Sequence, residues 1–316
     1  MEKKLKIARL LIILFAVIAV VELVLLINAK INKEKPVFVT TDVESRAWTL
    51  VPDFESDMIQ ANYWSYVNKA YVLIGSYPDY EYYKIAVGAP RNDYDVENFY
   101  IDDYDYLMYY HDDEAKKVSH VAVDVSSYQP EVDWEAVKEA GVDMAIIRAG
   151  YRGYGTGAIV TDDMFENHIE GALEAGLDVG VYFFTQALNY DEGVEEAKYT
   201  LSLIKDYKIN GPVVIDTEEM NADGVRTEGL SIDARTDSIV GFCETVKAAG
   251  YEPMIYSNRN WFVQQLDMSR ICNYKLWLAH YANQPDFPYL YTIWQYKSDG
   301  RLYGKKIDFD LNVVMY

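Results

Sequence analysis

Pro212-Val213-Val214-Ile215-Asp216-Thr217-Glu218-Glu219 is the stretch on which the reading of this chain turns. Residues 213–216 form an apolar, β-branched run of strand length that ends abruptly in acids. Upstream lie a strand pattern at 179–184 and a helix pattern at 192–205. Downstream lie a helix pattern at 233–249, stopped by Gly250, and a strand at 253–256. Further out, strands at 120–125 and 144–149 alternate with helix patterns at 134–140 and 163–175, closed by Gly141 and Gly176. Strands alternating with amphipathic helices imply an α/β fold on a parallel sheet. After a short helical piece at 261–266 come three strand-like runs, 276–281, 291–296 and 309–314, and the gaps between them hold turn residues without a convincing helix. Eight strands in a parallel series predict a TIM-like (β/α) barrel over 119–316 whose last three strands lack regular helices. An open doubly wound sheet is the alternative.

Barrel enzymes carry their chemistry at the carboxyl ends of strands. There the chain places Asp124 after the first strand, Asp216 and Glu218 after the fourth, and Asp308 and Asp310 on the last. Side chains alternate along a strand, so Asp216 and Glu218 share a face with Cβ atoms about 6–7 Å apart. Carboxylates gathered at one rim suit glycoside hydrolysis. One stays protonated to donate to the leaving oxygen, another stabilises charge at the anomeric carbon, and mutual crowding keeps the acid's pKa up. A helix N-terminal acid or a metal ligand is the competing reading of an isolated Asp-x-Glu. Other chemistries are less well served. His111, His120, His168 and His280 have no zinc spacing. No Gly-x-Ser-x-Gly elbow occurs. Gly153-Tyr-Gly155-Thr-Gly157 lacks the full dinucleotide fingerprint and reads as a rim loop. Neither a cofactor nor a metal is expected.

Half of the 316 residues are hydrophobic and a quarter charged, which sustains a sizeable core. The net charge of -21 argues against nucleic acid as a partner, and against holding an anionic polymer by electrostatics alone. Residues 10–27 are apolar except for Glu22, with Lys3, Lys4, Lys6 and Arg9 before them and Lys30, Lys33 and Lys35 after. This predicts a transmembrane signal anchor at 10–28, with 1–9 cytoplasmic, 29–38 a connector and the remainder outside the cell membrane. A cleaved signal peptide, releasing a secreted chain, is the alternative, although Ile27-Asn28-Ala29 is a poor cleavage site. Residues 39–118 hold 16 Asp/Glu against 6 Lys/Arg and nearly half of the 29 tyrosines. Short apolar runs between Gly75, Pro78, Gly88 and Pro90 suggest a small β-rich region, with a weaker helix candidate at 57–69. The Tyr-Asp alternation at 102–110 reads as a solvated acidic face, with sugar or cation binding as the alternative. Neither the region's function nor its protein partner is evident. Cys243 falls in a helix pattern with Ile239, Phe242 and Val246 and reads as a small core residue; a bridge to Cys272 is the alternative.

Across residues 119–316 a set of motifs runs in order: Asp124-Val-Ser126 with Gln129; Arg148-Ala-Gly150; Asp163-x-Phe165-x-Asn167; Gly180-Val-Tyr182-Phe-Phe184; Pro212 to Glu218; Trp277-Leu-Ala279-His-Tyr281; Ile293-Trp294-Gln295-Tyr296; and Gly300, Gly304 and Asp310-Leu-Asn312. Together they resemble the family 25 glycoside hydrolases, lysozymes that cut the β-1,4 bond after N-acetylmuramic acid. Each piece is common, but the ordered set is specific. The resemblance implies Glu218 as general acid/base and Asp216 as the group that assists the 2-acetamido group of the sugar. Asp124 and Asp310 map onto the remaining acidic positions of a glycan cleft, and the implied partner is the peptidoglycan glycan strand. Among aromatics on strands near the rim, Tyr182, Trp277 and Tyr281 are expected to contact substrate. Trp294 and Phe184 read as barrel core, and Tyr296 is a further candidate. The glycine-rich segment after Arg148 and the loop at 221–229 are expected to alter how long a glycan is gripped. A catalytically inactive glycan-binding or scaffold protein on the same barrel is the rival from another class, and a hydrolase of a different polysaccharide is the third reading.

Overall fold

The computed structural model describes residues 69–75, 79–110, 119–302 and 308–315, all within one compact unit spanning Val67–Tyr316. Its centre is a closed barrel of eight strands: β5 (His120–Val125), β6 (Met144–Arg152), β8 (Asp178–Phe184), β9 (Val213–Asp216), β10 (Pro253–Asn258), β11 (Lys275–Ala279), β12 (Ile293–Arg301) and β13 (Asp308–Val314). Neighbours pair in the order β5-β6-β8-β9-β10-β11-β12-β13, and β13 returns to β5. A short strand, β7 (Ile159–Thr161), folds back antiparallel on the end of β6. Closure excludes the open doubly wound sheet.

The expected TIM-like barrel is corrected in two respects. First, β13 runs antiparallel to both β12 and β5, whereas the other neighbours run parallel. Only residues 302–307 separate β12 from β13. That is enough for a hairpin and too few for the crossover a parallel pair needs. Second, the helices are few. Those described are α1 (Trp134–Glu139), α2 (Phe165–Glu174), α3 (Tyr190–Ile204), α4 (Ile232–Ala248), α5 (Arg259–Gln265) and α6 (Met268–Ile271), and none lies between β11 and β13. This is an irregular β-barrel with a partial helical coat. The membrane expectation is corrected as well. Among the described residues no helix is long and apolar enough to cross a membrane. The anchor expected at 10–28 lies outside them, as do residues 1–9, the connector at 29–38 and nearly all of the helix candidate at 57–69. A single-pass localisation therefore has no support among the described residues.

The helices follow local rules. Asp133, Asn189, Ser231 and Asn258 each cap a helix start by accepting a backbone N–H of the first turn. Helices α3 and α4 touch through glycines. A Cβ on Gly193 would lie 1.9 Å from the Ser238 carbonyl oxygen, and one on Gly241 would lie 2.4 Å from that of Tyr190. Strand alternation then divides the apolar side chains in two. Ala122, Ile146, Val214, Met254 and Ile293 fill the barrel interior. Val123, Ile147, Val181, Ile215 and Ile255 face outward into a larger core shared with the helices. Cys243 and Cys272 are both free and buried, so the bridge is absent.

Residues 69–75 and 79–110 lie against the barrel strands that no helix covers. Here β1 (Tyr71–Ile74) pairs with β2 (Glu81–Lys84), and β3 (Phe99–Ile101) with β4 (Leu107–Tyr109). Phe99 meets Trp294 edge to face at 5.4 Å, and the Tyr94 hydroxyl donates to the Tyr291 carbonyl. Leu107 N–H donates to the Tyr296 hydroxyl. The expected solvated face at 102–110 is only partly so: Tyr106 and Tyr109 are buried anchors, while Tyr104 and Tyr110 are exposed.

Candidate active site

One face alternation brings the acids together. Asp124 continues the interior face of Ala122, and Asp216 that of Val214, so both carboxylates arrive at the end of the barrel core. Strand β9 ends at Asp216, two residues short of Glu218, but backbone pairing carries the chain on. Thr185 N–H donates to the Asp216 carbonyl and Thr217 N–H to the Tyr256 carbonyl. The Ser257 hydroxyl holds the Thr217 carbonyl at 2.6 Å, and the Trp261 indole N–H reaches the Thr217 hydroxyl at 3.2 Å. Thr217 is thus fixed on three sides, and Asp216 and Glu218 are presented from either side of it. Both line an open cleft of about 570 Å³, together with Asp124, Asp310, Tyr182, Tyr281, Arg148 and Gln295.

A relay of amides organises the floor. The Trp277 indole N–H donates to Asn312 Oδ1 at 2.7 Å, which turns Asn312 Nδ2 toward Asp124 Oδ2 at 2.8 Å. Hydroxyls of Tyr256 and Tyr281 donate to Gln295 Oε1, and Gln295 Nε2 reaches the same Asp124 oxygen at 2.9 Å. An indole N–H can only donate, so the Asn312 orientation is determined by chemistry. Asp124 is pushed well above the carboxylate range by burial, then by Asp310, and the two amides pull against that rise. Burial likewise lifts Asp310, to about 6.

Burial also raises Asp216 well above its ordinary value, and the neighbouring Glu218 and Asp124 add to it. Glu218 is raised by burial too, but hydrogen bonding with Tyr256 and Asp216 pulls it down. Tyr256 has one proton to share between Glu218 and Gln295. Burial is the largest cause of the rise in both acids. Asp216 Oδ1 is buried and accepts no hydrogen bond among the described residues. No group of three or more His, Cys, Asp or Glu side chains among the described residues is arranged to hold a metal ion.

The Glycosyl hydrolases family 25 model matches residues 123–305, more than half of the chain. The chain belongs to this family. It is 28% identical over 191 residues to the "Autolytic lysozyme" of Clostridium acetobutylicum, a match covering 60% of this chain and 54% of that protein. With "Lysozyme M1" of Streptomyces globisporus it shares 29% identity over 200 residues, covering 60% and 66%. The match thus spans little more than half of the length of the first relative. In fold it resembles the modular autolysin LytC from Streptococcus pneumoniae, with a TM-score of 0.55, 23% identity, and coverage of 77% of this chain and 56% of that one.

Within this family 25 barrel, the seven expected site residues Asp124, Tyr182, Asp216, Glu218, Trp277, Tyr281 and Asp310 all line the cleft. They differ in what they offer. Tyr281 is 58% exposed at the rim, whereas Trp277 is 1% exposed, pressed edge-on against Tyr256 and Tyr182. Trp277 packs as a buttress behind the two tyrosines. Phe184, expected in the core, lines the cleft instead. Trp294 is buried, as a core residue should be, but on the outer face of the barrel. Tyr296, expected near the rim, also turns outward, to Leu107. Residues outside the expected set are Tyr256, Gln295, Asn312 and Arg148. Sharing a strand face with a flagged acid or aromatic marks Asn312, two residues from Asp310. The other three carry no such sign.

Proposed function

We propose that this chain hydrolyses the β-1,4 bond between N-acetylmuramic acid and N-acetylglucosamine in peptidoglycan, with Glu218 as general acid/base and Asp216 assisting the 2-acetamido group. The observation that carries the reading is the placing of Asp216 and Glu218 together on one open cleft, with Asp124 and Asp310 beside them. An acetamido N–H donating to the Asp216 carboxylate would favour its charged form. With Asp216 charged, a proton held by the pair would rest on Glu218. Substrate binding would thereby arm the acid. Glu218 then protonates the leaving oxygen, while the Asp216 carboxylate orients the acetamido oxygen toward the anomeric carbon, the substrate-assisted exception to the two-carboxylate scheme. The named lysozymes among the family relatives support the substrate class.

The test uses the full chain with purified peptidoglycan and assays new reducing ends on muramic acid. Glu218→Gln should lower turnover by about 10²–10⁴-fold, the range of a general acid, with thermal unfolding unchanged. Full activity in that variant would remove Glu218 from the role. Binding of muropeptides without cleavage by the unmodified chain would favour the inactive-scaffold reading.

A further inference from the structure

Six carboxylates line the cleft, and only two cations, Arg148 and Arg152, stand among them. The Arg152 guanidinium is consumed by structure. It bonds Glu196, Glu195, the Gly157 carbonyl and the Glu192 carbonyl. Arg148 is braced differently. Its Nε donates to Asp162, whose side chain is wholly buried, at 2.6 Å, and its Nη2 donates to the Ser127 hydroxyl at 2.9 Å. Asp162 is itself held by the backbone N–H groups of Ser127 and Met164. The rings of Tyr128 and Tyr151 lie 5.2 and 5.7 Å from the guanidinium carbon, an arrangement that holds a cation in place. Arg148 lines the cleft, and its Nη1 makes no hydrogen bond among the described residues. Tyr128 is 82% exposed although it covers this group. This is a fixed guanidinium with an open N–H edge, in a cleft where acids outnumber cations.

Such an edge selects an oxygen acceptor. Arg148 is also within electrostatic reach of Asp216 and Tyr182. On the muramidase reading, on which this inference rests, Asp216 attends the C2 acetamido group. The substituent on the adjacent carbon C3 is what distinguishes muramic acid from N-acetylglucosamine. We propose that Arg148, braced by Tyr128 and Tyr151, binds an oxygen of the 3-O-lactyl group and so selects the muramyl residue. In strands freed of peptide the acceptor is the lactyl carboxylate, and in intact strands it is the amide carbonyl that replaces it. The charged acceptor makes the stronger bond.

The experiment measures binding, so that it does not depend on turnover. In the full chain carrying Glu218→Gln, calorimetry compares three ligands: a peptide-free muramyl tetrasaccharide, the same oligosaccharide bearing stem peptides, and chitotetraose, which has no lactyl group. The peptide-free ligand should bind about tenfold or more tighter than chitotetraose, as expected for a charge-assisted hydrogen bond, with the peptide-bearing ligand between them. Adding Arg148→Met should abolish most of that preference. Because this leaves Asp162 buried without its cation, Tyr128→Ala provides a variant at an exposed position that keeps the ion pair, and the preference should fall severalfold there too. Equal weakening toward all three ligands, or no muramyl preference before Arg148 is changed, would overturn the proposal. Absence of glycan cleavage by the unmodified chain, with the Arg148-dependent preference intact, would instead overturn the muramidase reading and leave this subsite standing.

Discussion

The barrel wall is covered in two different ways. Behind β6, β8, β9 and β10 the cover is helical, with α2, α3 and α4 carrying side chains such as Ile169, Ala197 and Phe242 into the shared core. Behind β11, β12 and β13 the cover is residues 69–75 and 79–110, which contribute Tyr94, Phe99, Tyr106 and Tyr109 against Tyr291, Trp294 and Tyr296. On the helical side backbone groups are satisfied within each helix. On the other side they are satisfied across segments: Asn92 N–H bonds the Pro288 carbonyl, Leu290 N–H the Pro90 carbonyl, and Ala86 N–H the Tyr289 hydroxyl. A barrel needs its outer apolar face buried, and the chain has met that requirement once with periodic helices and once with an aromatic strap.

If the strap is equivalent to the helical coat, removing it should be the most damaging change. A chain beginning at residue 119 would expose Tyr289, Tyr291 and Trp294 together. Each buried aromatic is worth about 1.5–3 kcal/mol on burial, against a total stability of about 5–15 kcal/mol. Loss of the cooperative near-ultraviolet transition is expected for that truncation. A well-folded barrel lacking 69–110 would break the equivalence.

Single truncations sharpen the comparison. Trp294→Ala on the strap side and Phe242→Ala on the helix side should each cost about 3–5 kcal/mol in urea unfolding. A Trp294→Ala cost below about 1 kcal/mol would mean that the strap packs loosely. A smaller effect separates the halves by pH. On the helical side Glu196 is fully buried between Arg152 and the Thr185 hydroxyl. Burial outweighs those bonds and raises it to about 7. The folded state then holds this proton more tightly than the unfolded chain. Its contribution is complete below the ordinary glutamate value of about 4.3, and is lost as pH rises through about 7. Glu196→Gln should flatten the stability profile across that window. An unchanged slope would remove Glu196 as its source. The smallest effect belongs to the strap. Tyr106→Phe loses the bond to the Ala140 carbonyl and should cost about 1 kcal/mol.

The same two-sided construction explains what the sequence disclosed. The helix side was legible because apolar spacing, capping residues and stop glycines agree there, and helices α1 to α4 lie within three residues of their expected ends. The strap side has no period. Its tyrosines alternate with aspartates, and nothing local tells Tyr106, which is buried, from Tyr104, which is exposed. Strand direction was also hidden. The pattern of β13 is that of any strand, and only the short gap after β12 required it to run backward. In the site, the acids were visible as polar residues ending apolar runs. Gln295 was not, because its role depends on Tyr256 and Tyr281, which approach it from other strands. Arg148 owes its placement to Asp162, a residue on a loop after β7, a relation that spacing along the chain does not reveal.

The most direct test of the muramidase account is hydrolysis of peptidoglycan by the full chain in ¹⁸O-labelled water, followed by mass spectrometry of the released sugars. The account predicts label at C1 of muramic acid, and its disappearance in Glu218→Gln. Label on N-acetylglucosamine, or undiminished labelling after Glu218 is changed, would contradict it.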